Sequence, residues 1–343
     1  MENETYLAMN VDNRSVETAA AVTPLLSYGT LDQILLLTYF VCAALLSLLG
    51  IFTNVVNIVV FSKLGFSEST NIYFLALSMF DLLFVVLFAI ASLLYSPLAK
   101  FLSNGPFIRY VGESMSRSYF VLTNGSAMMT ALISVERCLC VLFPLKIKTV
   151  LSPRKRVCLM LTVVAYHVIF LIIMYADPGP PYDDYTTEKL TFYLASLYGV
   201  PFSAVFFIVV MTTTFIAIQM RRTRQWRREA ANQSNKNKDK ETAIVRTIIA
   251  INVLFIFCSL PTVGHILGSM MIPNYIKNDP YWKSLIDLFY AIGYLFQIIS
   301  SSVNIFFYYK MSSRFRNVFS KCFRFGQKKN NNLANNAEAT VAS

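Results

Sequence analysis

Two histidines, His167 and His265, and two tryptophans are all that these 343 residues contain, and only 14% of the side chains are charged. No Ser/His/Asp arrangement, metal-ligand spacing or glycine-rich phosphate loop occurs, so the constellations that carry common enzymatic chemistry are missing. The six cysteines, Cys42, Cys138, Cys140, Cys158, Cys258 and Cys322, show no zinc-like spacing and offer no pair for an extracellular disulfide. Soluble domains carry about 25% charged residues, so a chain this poor in charge lacks the polar surface that water requires. The first residues, MENETYLAMN, show no basic stretch leading into an apolar core, and no cleavable signal peptide is expected. Internal symmetry, which a secondary transporter built from repeats would display, is not found either.

Long apolar runs are what the chain has. Seven lie at 32–62, 70–97, 107–143, 156–176, 190–220, 243–272 and 284–309. A helix of about 20 apolar residues crosses the ~30 Å hydrocarbon layer. The expectation is an all-α membrane protein, a seven-transmembrane helix bundle over 32–309. Residues 1–31 then form an extracellular N-terminal segment and residues 324–343 a disordered, Asn-rich cytoplasmic tail. Between them, Phe315, Val318, Phe319, Cys322 and Phe323 recur at helical spacing in a basic stretch, which predicts a short amphipathic eighth helix over 310–323. Cys322 on that helix is a candidate for palmitoylation. The polar segment 229–241 reads as a flexible connection between runs 5 and 6.

The net charge is +11, and lysine and arginine gather after runs 1, 3, 5 and 7. The positive-inside rule then sets the N-terminus outside and the C-terminus in the cytoplasm of a multi-pass plasma-membrane protein. Sequons at Asn3 and Asn13 agree with that side. Because the basic clusters flank membrane helices, their expected partner is anionic lipid, not nucleic acid. An acidic loop, ADPGPPYDDYTTE, lies between runs 4 and 5 and suits either a basic peptide or solvent.

Polar groups inside a bilayer are costly and mark function by default. Run 1 carries Asn54, run 2 Asp81, run 3 Ser126 followed by Glu136-Arg137-Cys138, and run 7 Ser300, Ser301 and Asn304 followed by Tyr308. Pro201 in run 5 and Pro261 in run 6, with Phe255 nearby, are the expected hinges, since proline frees a carbonyl and kinks a helix. Helical spacing turns Tyr119, Phe120, Thr123, Thr262, Tyr294 and Gln297 inward as candidate pocket residues.

In this order, these residues resemble those of the rhodopsin-like (class A) G-protein-coupled receptors. Glu136-Arg137-Cys138 resembles the Asp-Arg-Tyr motif, and Asn304-Ile-Phe-Phe-Tyr308 the Asn-Pro-x-x-Tyr motif. Asn54, Asp81, Pro201 and Pro261 match the hallmark residues of their helices. The chain departs from the pattern at Ile305 for the proline, at Ser259 for a tryptophan, and at Gly112 for the cysteine of the outer disulfide. Such departures resemble a divergent branch like the invertebrate orphan, peptide and chemosensory receptors. The resemblance implies a receptor that transduces an extracellular ligand, such as a neuropeptide or a chemosensory small molecule, to a heterotrimeric G protein by outward movement of run 6. It implies no catalytic residue and no cofactor apart from a sodium ion on Asp81, Ser126, Ser300, Ser301 and Asn304. A water-filled hydrogen-bond network is the alternative there. It also implies that Arg137, with Glu136 beside it, is held in the closed state by Glu241 on run 6; pairing of Glu241 with Lys238, Lys240 or Arg246 around it is the alternative. Tyr119, where amine receptors carry an aspartate, argues against a biogenic amine. The alternative function is secondary transport of a small solute.

Overall fold

The structure, a computed structural model, describes residues 30, 33–34, 36–66, 69–94, 105–143, 151–176, 189, 192–229, 236–271 and 280–323. Asn3, Asn13, the acidic loop and the tail beyond 323 lie outside the described residues, as does the side chain of Glu241. Seven helices are long and apolar enough to cross a membrane. They are α1 (Ala43–Leu64), α2 (Ser69–Leu94), α3 (Gly105–Leu142), α4 (Pro153–Ala176), α5 (Val200–Glu229), α6 (Lys236–Met271) and α7 (Pro280–Met311), and a shorter α8 (Ser313–Phe323) follows. The chain is thus a seven-helix membrane bundle, and large apolar side chains such as Leu45, Leu48 and Phe52 stand on its outer surface. Such a surface suits hydrocarbon, not water.

The ends follow local chemistry. Pro153 and Pro280 stand at the first helical position, where the missing N–H would have no partner in any case. The hydroxyl of Ser152 accepts from the Lys155 N–H at 3.5 Å, and that of Ser312 from the Phe315 N–H at 3.2 Å, which caps α4 and α8. Gly65 closes α1 at φ 73°, a conformation that costs a side chain dearly. Arg316 donates to the carbonyls of Tyr309 at 3.0 Å and Lys310 at 2.8 Å, so the charge of α8 seals the last turn of α7.

Segment 229–241 corrects one expectation. α5 runs to Glu229 and α6 already begins at Lys236, so seven residues of the expected linker are helical. Outside the bilayer, lysine and glutamate are good helix formers, and nothing there stops the helix. Run 5 also differs at its start. A π-helical segment, Leu194–Gly199, precedes α5, and Val200 N–H bonds back to Ala195. Pro201 has no N–H for the Leu197 carbonyl one turn earlier. That carbonyl instead accepts from Tyr166 Oη at 2.8 Å and Asn124 Nδ2 at 3.3 Å, which ties α4 and α3 to the break. A second π-helical segment, Leu36–Cys42, leads into α1.

Around the axis, α1 packs on α2 and α7, α2 on α3, α3 on α5, and α6 on α5 and α7, while α4 lies outside against α3. Two glycines set close approaches. A Cβ on Gly50 would strike Ser302 and Val85, and one on Gly125 would strike the Phe80 ring. The buried apolar residues form three clusters: one at the α8 end around Phe61, Phe74, Tyr308 and Phe315, one between α3, α4, α5 and α6, and one around Phe84, Phe88 and Tyr119.

Candidate functional site

The bundle carries polar and open structure at three levels. In the middle, Asp81 is 1% exposed. Ser126 Oγ at 2.6 Å and Ser301 Oγ at 3.0 Å donate to its Oδ1, and Asn304 Nδ2 donates to Oδ2 at 3.1 Å. Three donors from α3 and α7 compensate a carboxylate that burial alone would penalise heavily. Asn54 reaches the same place through the backbone, donating to the carbonyls of Gly50 at 2.9 Å and Ser301 at 2.8 Å. Ser300 does not join. It makes no hydrogen bond to Asp81, because adjacent helical residues point about 100° apart and Ser301 takes the inward position. The Oδ1 atoms of Asn304 and Asn54 are buried without a partner. One carboxylate, two hydroxyls and an unmet carboxamide oxygen form a donor set that fits a hard cation bound by oxygen.

At the end opposite α8 lies a cavity of about 320 Å³ between α3, the π-helical segment before α5, α6 and α7. Phe120, Thr123, Thr262, Tyr294 and Gln297 line it. Tyr119 does not; it stands behind the wall, its ring 5.9 Å from Tyr294 and 5.2 Å from Phe88. Tyr198, His265 and Tyr290 line the cavity too. Sequence reading left them out, although His265 and Thr262 are close enough on one helix to share a face. Phe120 and Tyr198 are 4.9 Å apart, and His265 and Tyr290 4.6 Å. Phe255 lies deeper, against Phe202 at 6.3 Å, where α5 and α6 meet just past Pro201. Pro261 sits within α6, between Phe255 and the cavity residues of that helix.

At the α8 end, Glu136 has its partner on another helix. It pairs with Arg156 of α4 at 3.4 Å, beside Tyr73, whose hydroxyl donates to the Arg156 carbonyl at 3.5 Å. Consecutive residues of a helix do not face one another, so a carboxylate beside an arginine in sequence is free to bind elsewhere. Arg137 Nε is buried with no hydrogen-bond partner among the described residues. Tyr308 is fully enclosed by Phe61 at 4.9 Å, Phe74 at 4.9 Å and Phe315 at 5.6 Å, and its hydroxyl has no partner. Cys322 is half-buried on α8 and stands at an apolar groove along α1.

Two polar contacts escaped the sequence. Asn252 of α6, 1% exposed, donates to Ser134 Oγ of α3 at 2.9 Å and to Thr213 Oγ1 of α5 at 2.8 Å, and Ser134 meets Thr212 at 2.6 Å. Its signal was visible, since any asparagine within an apolar run invites a partner. Arg117, near the start of α3, donates to the Met174 carbonyl of α4 at 3.0 Å, and Ser118 meets Tyr175 at 2.8 Å. These bonds join the helix end where the family pattern carries a disulfide and this chain has Gly112 in place of the cysteine. All six cysteines are free, and all lie on helical segments. Ser259, at the place of the expected tryptophan, is buried with its hydroxyl unpartnered.

The family model described as 7 transmembrane receptor (rhodopsin family) matches residues 53–308. No curated protein matches the chain.

Proposed function

Since the chain belongs to the rhodopsin family of 7 transmembrane receptors, we propose that it couples an extracellular ligand to a heterotrimeric G protein at the plasma membrane. The observation that carries this reading is the reach of α6. One end of it lines the ligand-sized cavity through Thr262 and His265, and the other lies beside Tyr308 through Ile244 and Thr247. A ligand that prefers one position of this helix shifts the population at the far end.

The basic flanks of α4, α5 and α8 support an orientation with the α8 end in the cytoplasm and the cavity outside. Pro261 removes the N–H that the Phe257 carbonyl would use, which makes α6 easiest to bend there. An outward swing below Pro261 breaks the Asn252 bonds to α3 and α5 and opens a cleft containing Arg137 and Tyr308, where the G protein docks. Glu241, at the start of α6, restrains Arg137 in the closed state. A sodium ion at Asp81, Ser126, Ser301 and Asn304 stabilises that state; the unmet Asn304 oxygen supports it. α8 rests on the inner leaflet, and acylation of Cys322 adds an anchor along α1. Asn3 and Asn13 carry glycans. The departures at Gly112, Ser259 and Ile305 suit a divergent branch of peptide or chemosensory receptors.

Purified receptor in lipid nanodiscs with Gαβγ tests this. Wild type accelerates nucleotide exchange above G protein alone, and Arg137→Ala does not. Equal rates for empty nanodiscs, wild type and Arg137→Ala across the G-protein classes would overturn the reading.

A further inference from the structure

The cavity opposite α8 has an unusual hydrogen-bonding balance. Gln297 is 5% exposed, lines the cavity, and makes no hydrogen bond among the described residues. An unpaired carboxamide at that depth is costly unless something else meets it. Its neighbours are already engaged: Thr123 donates to the Tyr119 carbonyl at 2.8 Å, and Ser269 to the Ile266 carbonyl at 2.7 Å. No aspartate, glutamate, lysine or arginine is among the described lining residues. A charged ligand group would be stripped of water there with no acidic or basic partner among the described lining residues. The walls are aromatic on two sides, Phe120 with Tyr198 and Tyr290 with Tyr294, the latter rings stacked at 6.1 Å and 17°. A volume of about 320 Å³ stands at the small end of ligand sites, which span about 300–1,000 Å³.

We propose that this cavity binds an uncharged aromatic molecule bearing an amide or lactam edge, whose N–H and C=O pair with the carboxamide of Gln297 while its ring lies between the two aromatic walls. A carboxamide has a donor and an acceptor side by side, and another amide edge is its complement. Such a site discriminates by what it leaves unpaired. An isostere without the edge buries Gln297 unsatisfied, and a carboxylate or ammonium brings a charge the walls cannot answer. The proposal names the ligand class of the site read above as the receptor's, and it rests on that reading only for its signalling consequence.

Binding to the full-length protein in nanodiscs is measured by saturation-transfer NMR at millimolar probe. The probes are 2-quinolone, quinoline, N-acetylphenylalaninamide, N-acetylphenylalanine and phenethylamine. The expected result is that 2-quinolone or N-acetylphenylalaninamide binds at least about tenfold more tightly than quinoline, the acid or the amine, two net hydrogen bonds being worth roughly that much. Preference for the quinolone indicates a free heterocycle, and preference for the acetylated amide an amidated peptide end. Gln297→Leu abolishes the preference over quinoline. The amide and acid differ at one group, a neutral carboxamide against a carboxylate that has no N–H, and are compared on wild type, so that arm stands even if the variant misfolds. Tighter binding of acid or amine, binding of the lactam unchanged in a folded Gln297→Leu, or no binding by any probe overturns the proposal. Nucleotide exchange is read separately. Lactam binding without any exchange by any G protein supports the ligand class and counts against the receptor reading; basal exchange with no amide-edged binding does the reverse.

Discussion

The two sides of the bundle are held in different ways. Where α1 meets α7, side chains of one helix bond to the backbone of the other: Thr53 to the Ser302 carbonyl at 2.8 Å, Asn54 to that of Ser301 at 2.8 Å, and Ser302 to that of Leu46 at 3.1 Å. Gly50 lets the backbones come that close. Where α6 meets α3 and α5, one side chain, Asn252, reaches two hydroxyls. A backbone contact fixes the helix itself, whereas hydroxyls rotate and find new partners within their own turn. The lesson is that one side is a frame and the other a clasp. Motion is expected where, among the described residues, one side chain makes the hydrogen bonds and the rest of the contact is apolar.

Four experiments break or sharpen that contrast. The largest effect is expected from Arg137→Ala, which removes the half-buried cation at the α8 end of the bundle. Agonist-stimulated exchange falls to background while surface staining stays normal; a signalling variant would assign the cation to anchoring alone. Asn252→Leu comes next. Interhelical hydrogen bonds in membranes average ~0.6 kcal/mol and reach ~1.7 kcal/mol, so opening the clasp raises basal exchange by about threefold to twentyfold. Unchanged basal exchange would mean that the clasp does not oppose activation. Asn54→Leu acts on the frame and has a smaller signalling effect. It lowers the thermal midpoint in detergent, through a loss of about 1–2 kcal/mol, without raising basal exchange. Should Asn54→Leu activate and Asn252→Leu only destabilise, the contrast between frame and clasp is reversed. Sodium gives the smallest shift. Replacing potassium by sodium at constant ionic strength lowers agonist affinity in wild type and has no effect in Asp81→Asn. Agonist binding to wild type that ignores the exchange of cations removes the ion from the centre.

The fold was legible because the bilayer acts on local composition. Each of the seven runs became a helix, with ends displaced by a few residues where Pro153, Pro280 and Ser312 start one or Gly65 stops one. Asp81, Ser126, Ser301 and Asn304 could be brought together on paper because each is polar in an apolar run. Asn252 met the same criterion and was passed over, since its partners Ser134 and Thr213 are small hydroxyls that helices carry commonly. The partner of Glu136 was not legible: Arg137 is its neighbour in sequence, and Arg156 of α4 pairs with it in space. The π-helical turn before Pro201 could not be read either, because the partners that stabilise it, Tyr166 and Asn124, belong to other helices.

The sequence by itself determined that this chain crosses a membrane seven times, since twenty apolar residues in hydrocarbon must satisfy their backbone within one helix. It also determined the basic side of the bundle and which polar residues would be buried. Tertiary structure alone decided their partners. It gave Glu136 to α4, left Gln297 unpaired in a cavity of aromatic walls, and hung α6 on Asn252. Partner choice depends on which faces of separate helices come within 3 Å or so of each other, and that is fixed by packing between segments far apart in the chain.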